Sequence, residues 1–363
     1  MAMPYRIIQI NPSATSNSRA SVLVIYTGGT FGMVYEPQAG QLVPFDFERV
    51  VDRLPELNRL DFAISLLTLN EIIDSSNMKP AVWVELAQII QDHYSSYDSF
   101  VILHGTDTMS FTASALSFML EGLSKPVILT GAQLPIGVAR SDARENFITA
   151  LEIAAATEAD RPLVPEVCVY FNSLLLRGNR STKRESVQFN AFTSENYPHL
   201  ANAGVSIDYN RPFIRPYQPN QSLKIHKTLD PNVTILKLFP GITQAVVESI
   251  VNIPSLRGIV LETFGAGNAP TDAWFLDVLK GTVDRGVLIF NVSQCEGGRV
   301  TQGQYQTSKH LLQIGVVSGA DITTEAAITK LMVLLGREPG YGPEAVLRLR
   351  TLLAQPISGE MSE

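Results

Sequence analysis

Short apolar runs that stop at small polar residues constrain this chain more than any other feature. VLVIY (22–26) leads into TGGT, FVIL (100–103) into HGTD, and VILT (127–130) into GAQ, and VCVYF (167–171) follows the same pattern. Runs of four or five are too short for buried helices, and they do not alternate as half-exposed strands do. Between them, residues 82–94, 108–120 and 141–155 carry helical spacing, and 62–68 reads as a further strand. Such alternation predicts a mostly parallel sheet covered by helices on both faces.

The pattern breaks at 209–232, YNRPFIRPYQPNQSLKIHKTLDPN, where proline and polar residues accumulate as in a linker. It then restarts, with strands near 234–238, 258–261 and 287–291 and helices near 243–251, 271–280, 325–335 and 343–353. The expected organisation is an α/β fold with a larger N-terminal catalytic domain (1–208), a linker (209–232) and a smaller C-terminal α/β domain (233–363). A length of 363 residues suits two cores rather than one.

Composition excludes several classes. A formal charge of −7 offers no basic face for nucleic acid. No run approaches a membrane span, and two distant cysteines, Cys168 and Cys295, make neither a disulfide framework nor a zinc pattern. The first twenty residues have too short an apolar patch for a secretory signal, so they read as a loose polar lead-in and the cytoplasm is the default location.

Ligands of open α/β sheets bind at the carboxyl ends of strands. Four polar clusters fall there: Thr27-Gly28-Gly29-Thr30, Asp74-Ser75-Ser76-Asn77, His104-Gly105-Thr106-Asp107 and Thr130-Gly131-Ala132-Gln133. The first lacks the glycine spacing or the lysine of a phosphate loop. It reads either as an ordinary turn or as a turn that exposes a threonine nucleophile. Asp107 is either the N-cap of the following helix or a carboxylate that holds a substrate ammonium. A threonine hydroxyl needs a base. His104 reads as structural, and Lys183, in RGNRSTKRES with Arg177, Arg180 and Arg184 nearby, is the other option. Like charges there would favour loss of its proton, while a solvated basic loop is the plainer reading.

YTGGTFGM, DSSNM, LHGTDTMSFTASALSFML, TGAQLP, RGNRSTK, ETFGAGNAP and NVSQC resemble the bacterial type I (cytoplasmic) L-asparaginases, in order, over about residues 21–340. The resemblance implies that Thr30 attacks the side-chain amide of L-asparagine and that Thr106, Asp107 and Lys183 form the activating set. Asp107 also clamps the α-ammonium, and Asp74, Ser75 and Ser76 hold the substrate, the serines at its α-carboxylate. The Thr106 amide and the Ala132 region face the oxyanion. It implies an acyl-enzyme hydrolysed to aspartate, release of ammonia, no metal or organic cofactor, and assembly as a homodimer or homotetramer.

Two departures stand out. The tyrosine expected in the loop after the nucleophile is missing, with Gln41 and Leu42 near its place and Tyr35 the nearest tyrosine. Thr182 and Cys295 match the family's effector pocket, but Glu262 stands where allosteric members carry an arginine. A carboxylate there would repel an effector carboxylate, so asparagine is not expected to activate through that clamp. The alternatives are an amidase subunit of a tRNA-dependent amidotransferase and a catalytically silent asparagine-binding protein. The negative charge and the roughly twenty residues ahead of the first strand disfavour the former, and the intact Thr30, Thr106, Asp107 and Lys183 disfavour the latter.

Overall fold

The computed structural model describes residues 5–11, 18–36, 38, 40–44, 50–219, 221–303, 306–338, 340 and 342–363, with backbone alone at 35, 41–44, 51 and 306–308. The chain divides into two compact units, 1–194 with 198–225, and 195–197 with 226–363.

The first unit is built on a nine-stranded sheet. Its centre is five parallel strands in the spatial order Ala63–Thr68, Ser21–Tyr26, Ser99–Leu103, Val127–Thr130, Val167–Phe171. Val22 to Tyr26, Phe100 to Leu103 and Val127 to Leu129 are wholly buried. Helices Pro80–His93, Met109–Met119 and Ala143–Ala154 make the crossovers, so both faces of these strands are covered and their runs need no alternation. From Ser21–Tyr26 the chain moves to one side, to Ala63–Thr68, and then returns to the other side for Ser99–Leu103. The connections therefore diverge at the carboxyl ends of Ser21–Tyr26 and Ser99–Leu103, the place where open sheets leave a crevice.

Antiparallel strands extend both edges. Ile7–Gln9 pairs with Ala63–Thr68, Ile10 is buried, and the Asn11 side chain donates to Phe62 O at 2.7 Å and accepts from Ile64 N at 2.8 Å. The polar lead-in expected from the sequence is thus partly a strand, with Ile7 and Ile8 half-buried and Gln9 exposed. At the other edge, Leu174–Arg177, Ala201–Ala203 and Ile207–Tyr209 follow Val167–Phe171.

The segment 209–232 is not a free connector. Tyr209 ends a sheet strand, Lys224–Ile225 pairs with Leu120–Glu121, and the division between units falls after Ile225.

The second unit has four parallel strands in the order Val233–Lys237, Gly258–Thr263, Leu288–Ser293, Val317–Ser318. Leu236, Ile259, Leu261, Phe275, Leu279 and Ile289 are buried in its core. Helix Thr324–Arg337 carries Lys330, whose ammonium is fully buried 2.7 Å from Glu360 Oε1. The same ammonium donates to Leu353 O at 2.9 Å and Gln355 O at 2.6 Å. Glu360 accepts from the amides of Ile357 and Ser358, so both charges are solvated by protein. Removing one partner of such a pair costs about 3–5 kcal/mol because the other charge is left buried. Glu360→Ala is therefore expected to lower the urea midpoint by that equivalent, with the loss read as chemical denaturation followed by circular dichroism.

Candidate active site

The rim loops of the first unit touch at glycine backbone. Gly29 has φ 85°, and a Cβ built on it would lie 2.6 Å from Gly105 Cα. A Cβ on Gly105 would lie 2.5 Å from Ser75 Oγ. Side chains at either position would force the loops apart. Thr30 and Thr106 each stand one residue beyond the Gly29–Gly105 contact.

The first polar cluster divides its two threonines between two tasks. Thr27 is buried, and both its amide and its hydroxyl donate to Leu103 O, at 3.0 and 2.9 Å. It continues the ladder between neighbouring strands. Thr30 opens the 3-10 turn Thr30–Gly32 and is partly exposed. Phe31 anchors that turn in the core, edge-on to Phe147 at 5.5 Å. Among the described residues no hydrogen bond is made by Thr30 Oγ1. The side chains of Tyr35, the nearest tyrosine, and of Gln41 and Leu42, near the place of the missing one, lie outside what is described; their backbones form the hairpin Met33–Glu36 with Gln41–Pro44.

Asp107 does not cap the helix that follows. Thr106–Thr108 forms a 3-10 turn, Thr108 occupies the N-cap of Met109–Met119, and Asp107 is left free to pair elsewhere. Lys183 comes from the short strand Thr182–Lys183, which pairs with Phe192–Thr193. Its Nζ lies 2.8 Å from Thr106 Oγ1 and 2.6 Å from Asp107 Oδ1. The lysine side chain is 17% exposed and the aspartate 64%. The charge paired with Lys183 is thus a carboxylate, and Arg177, one of the arginines of the basic loop, turns to Glu166 at 2.7 Å. Thr106 Oγ1 also donates to Gln133 Oε1 at 3.3 Å, and Gln133 Nε2 donates to Ser186 O and Gln188 O at 3.2 and 3.0 Å.

Gln133 was given no role from sequence. Its place in a rim cluster was visible, but its partners lie 27 and more residues away in sequence. Asp142 supports it, accepting from the amides of Gln133 and Leu134. Ala132, just past the strand Val127–Thr130, is buried beneath this rim.

Asp74 caps the turn Ser75–Asn77. Its Oδ1 accepts from the Ser76 amide at 2.9 Å and the Ser76 hydroxyl at 2.8 Å, which hold its carboxyl below the ordinary range. Ser75 is buried, and its carbonyl accepts from Thr108 Oγ1 at 2.8 Å, tying this loop to the turn carrying Thr106. Thr182 lies beside Lys183 on the same short strand. In the second unit, Glu262 is buried, with Oε1 accepting from Thr324 Oγ1 at 2.7 Å and Oε2 at 3.1 Å from Lys237 Nζ. Cys295 is exposed, its amide donating to Ser293 Oγ at 3.0 Å. Among the described residues no cluster of three or more His, Cys, Asp and Glu is placed to hold a metal.

His104 is buried with both ring nitrogens engaged. Nδ1–H donates to Gly105 O at 2.6 Å, and Nε2 accepts from Thr112 Oγ1 at 2.9 Å, which in turn accepts from Trp83 Nε1 at 3.0 Å. The Gly105 carbonyl is therefore held inward, and the Thr106 N–H of the same planar peptide points the other way. Burial pushes the His104 pKa from 6.5 down to about 4.

A two-unit α/β protein with a threonine, lysine and aspartate gathered at a sheet crevice is what fold and geometry define. The N-terminal asparaginase model matches residues 21–215, and the glutaminase/asparaginase C-terminal domain model matches 232–349. The chain belongs to the asparaginase family. It is 40% identical to L-asparaginase 1 of Escherichia coli K12, with 95% of this chain and 98% of that protein aligned. It is also 39% identical to the 60 kDa lysophospholipase of Mus musculus over 94% of this chain, which spans 62% of that longer protein. The crystal structure of L-asparaginase I from Vibrio cholerae superposes with a TM-score of 0.85 at 36% identity, covering 95% of this chain and all of that one. No helix among the described residues is long and apolar enough to cross a membrane.

The His104 pKa has a consequence for stability. The folded state keeps the ring neutral while the unfolded chain takes a proton below 6.5, so the contribution is full above that value. It is lost as the pH falls to about 4. Stability is expected to fall by about 1.4 kcal/mol per pH unit from this group alone. Urea titrations of the unaltered chain and His104→Gln across that window should differ by this slope.

Proposed function

We propose that this chain is a cytoplasmic L-asparaginase that converts L-asparagine to L-aspartate and ammonia through a threonine acyl-enzyme. The observation that carries the reading is Lys183 Nζ within 2.8 Å of Thr106 Oγ1 and 2.6 Å of Asp107 Oδ1, next to the Thr30 turn. Thr30 Oγ1 bonds to the side-chain amide carbon of asparagine, the C–N bond breaks, and ammonia leaves with the hydroxyl proton. Water then cleaves the ester, releasing aspartate and restoring the hydroxyl. Developing charge on the amide oxygen is met by backbone N–H groups of the rim, those of Thr106 and the Ala132 region, each such donor supplying about 3–4 kcal/mol.

Proton traffic runs through the second threonine. In the arrangement present, Nζ donates to Thr106 and Thr106 donates to Gln133, so Thr106 becomes a base only after Nζ has given up one proton. Asp107 keeps that ammonium in place beforehand and offers its exposed oxygen to the substrate α-ammonium. Ser75 and Ser76 lie on the loop that receives the α-carboxylate. A rim with Asp74, Asp107 and Lys183 suits a zwitterionic amino acid better than a lipid acyl chain. Self-association as a homodimer or homotetramer belongs to the same reading and is measured by light scattering.

Ammonia release from asparagine and from glutamine by the purified chain tests the proposal. Thr30→Ala, Thr106→Val and Lys183→Met are each expected to lower kcat/KM by roughly a hundredfold or more, about 3 kcal/mol of transition-state stabilisation, with circular dichroism unchanged. Turnover that survives all three would overturn it. Because Glu262 already pairs with Lys237 and Thr324, the saturation curve for asparagine is expected to be hyperbolic. A sigmoidal curve that Glu262→Ala abolishes would refute this.

A further inference from the structure

The outer edge of the second unit's sheet is the two-residue strand Val317–Ser318. Beside it lies a cleft of about 540 Å³, within the size range of small-molecule sites. All the residues that line it belong to the second unit, and none was singled out by the sequence motifs.

Three features of the lining ask for a ligand. Leu312, Val316, Val317 and Met361 supply apolar wall, and two arginines, Arg299 and Arg350, share the lining with Glu363. Arg350 is half-buried at the carboxyl end of helix Pro343–Leu353, and among the described residues its guanidinium has no hydrogen bond or ion pair. Arg299 makes a long contact, Nη2 to Glu363 O at 3.4 Å. The Gln302 amide is the third feature: Oε1 and Nε2 are both buried, and among the described residues neither has a partner. Native interiors rarely leave a buried amide unsatisfied on both atoms, and an unpaired guanidinium loses hydration with no compensating charge.

The far wall is held in place. The Lys330–Glu360 pair and the bonds from the Ser362 amide and hydroxyl to Asp321, both at 2.6 Å, fix the residues on either side of Met361. The tail is thus part of the lining and does not fill the cleft.

We propose that this cleft binds a small organic acid, its anionic group met by Arg350 and Arg299, its aliphatic body by Leu312, Val317 and Met361, and a neighbouring hydroxyl by the Gln302 amide. Inorganic anions would leave the apolar wall and the amide unused, and cations would meet two guanidiniums. The site is separate from the threonine rim and does not rest on the function proposed there.

Isothermal titration of the full chain with 2-hydroxy-4-methylpentanoate tests it. Expected are saturable one-site heat and affinity weakened roughly tenfold or more, about 1.4 kcal/mol, by Arg350→Ala, by Gln302→Ala, and by replacing the ligand with its neutral amide. Thr30→Ala should bind as the unaltered chain does. Arg299→Ala, at an exposed position, should also weaken binding, and it carries the test if Arg350→Ala fails to fold by circular dichroism. The proposal is overturned by the absence of saturable heat at millimolar ligand, by affinity unchanged in both arginine variants, by loss of binding in Thr30→Ala, or by inorganic phosphate competing on equal terms.

Discussion

Close packing of glycine backbone at the carboxyl rim of the first sheet, Gly29 on Gly105 and Gly105 on the Ser75 side chain, is the contact on which the candidate site depends. Where Gly29 faces Gly105 and Gly105 faces Ser75, there is no room for a β-carbon. Three loops from three strands are thereby brought as close as chains can come. Residues that are 30 and 106 in the sequence become neighbours by one step each. Beneath them, Phe31 packs into the core, and the His104 ring holds the Gly105 carbonyl. The polar turns at the surface are set by what is buried below them.

Charge is treated differently in the two units. At the rim, Lys183 and Asp107 pair at 2.6 Å with most of the carboxylate in water. In the second unit, Lys330 and Glu360 pair fully buried, their other hydrogen bonds going to backbone and to Met361 Sδ. One pair is open to solvent and the other fixes residues 357–360 against helix Thr324–Arg337. The Arg350 guanidinium and the Gln302 amide, which have no partner among the described residues, fit neither pattern.

Sequence patterning alone determined the parallel core, because a strand buried on both faces must be apolar at every position, and VLVIY, FVIL, VIL and VCVYF are. It also determined which clusters sit at strand ends, since each run stops where the glycine, threonine and aspartate begin. It did not reveal the antiparallel additions Ile7–Gln9, Ala201–Ala203 and Ile207–Tyr209. Short edge strands bury one face, and their mixed residues look like loops. Nor did it separate Thr27 from Thr30, two hydroxyls on one turn whose difference is the carbonyl of Leu103, a partner 76 residues away.

Only the tertiary structure decided who meets whom. Asp107 could have capped a helix; an intervening 3-10 turn left that place to Thr108 and gave the carboxylate to Lys183. Gln133 acquired its contacts because one amide has to satisfy a hydroxyl and two carbonyls from separate loops. Propensity and hydrophobic period are local and are written residue by residue. The pairing of polar groups depends on distances that exist only after the strands are aligned.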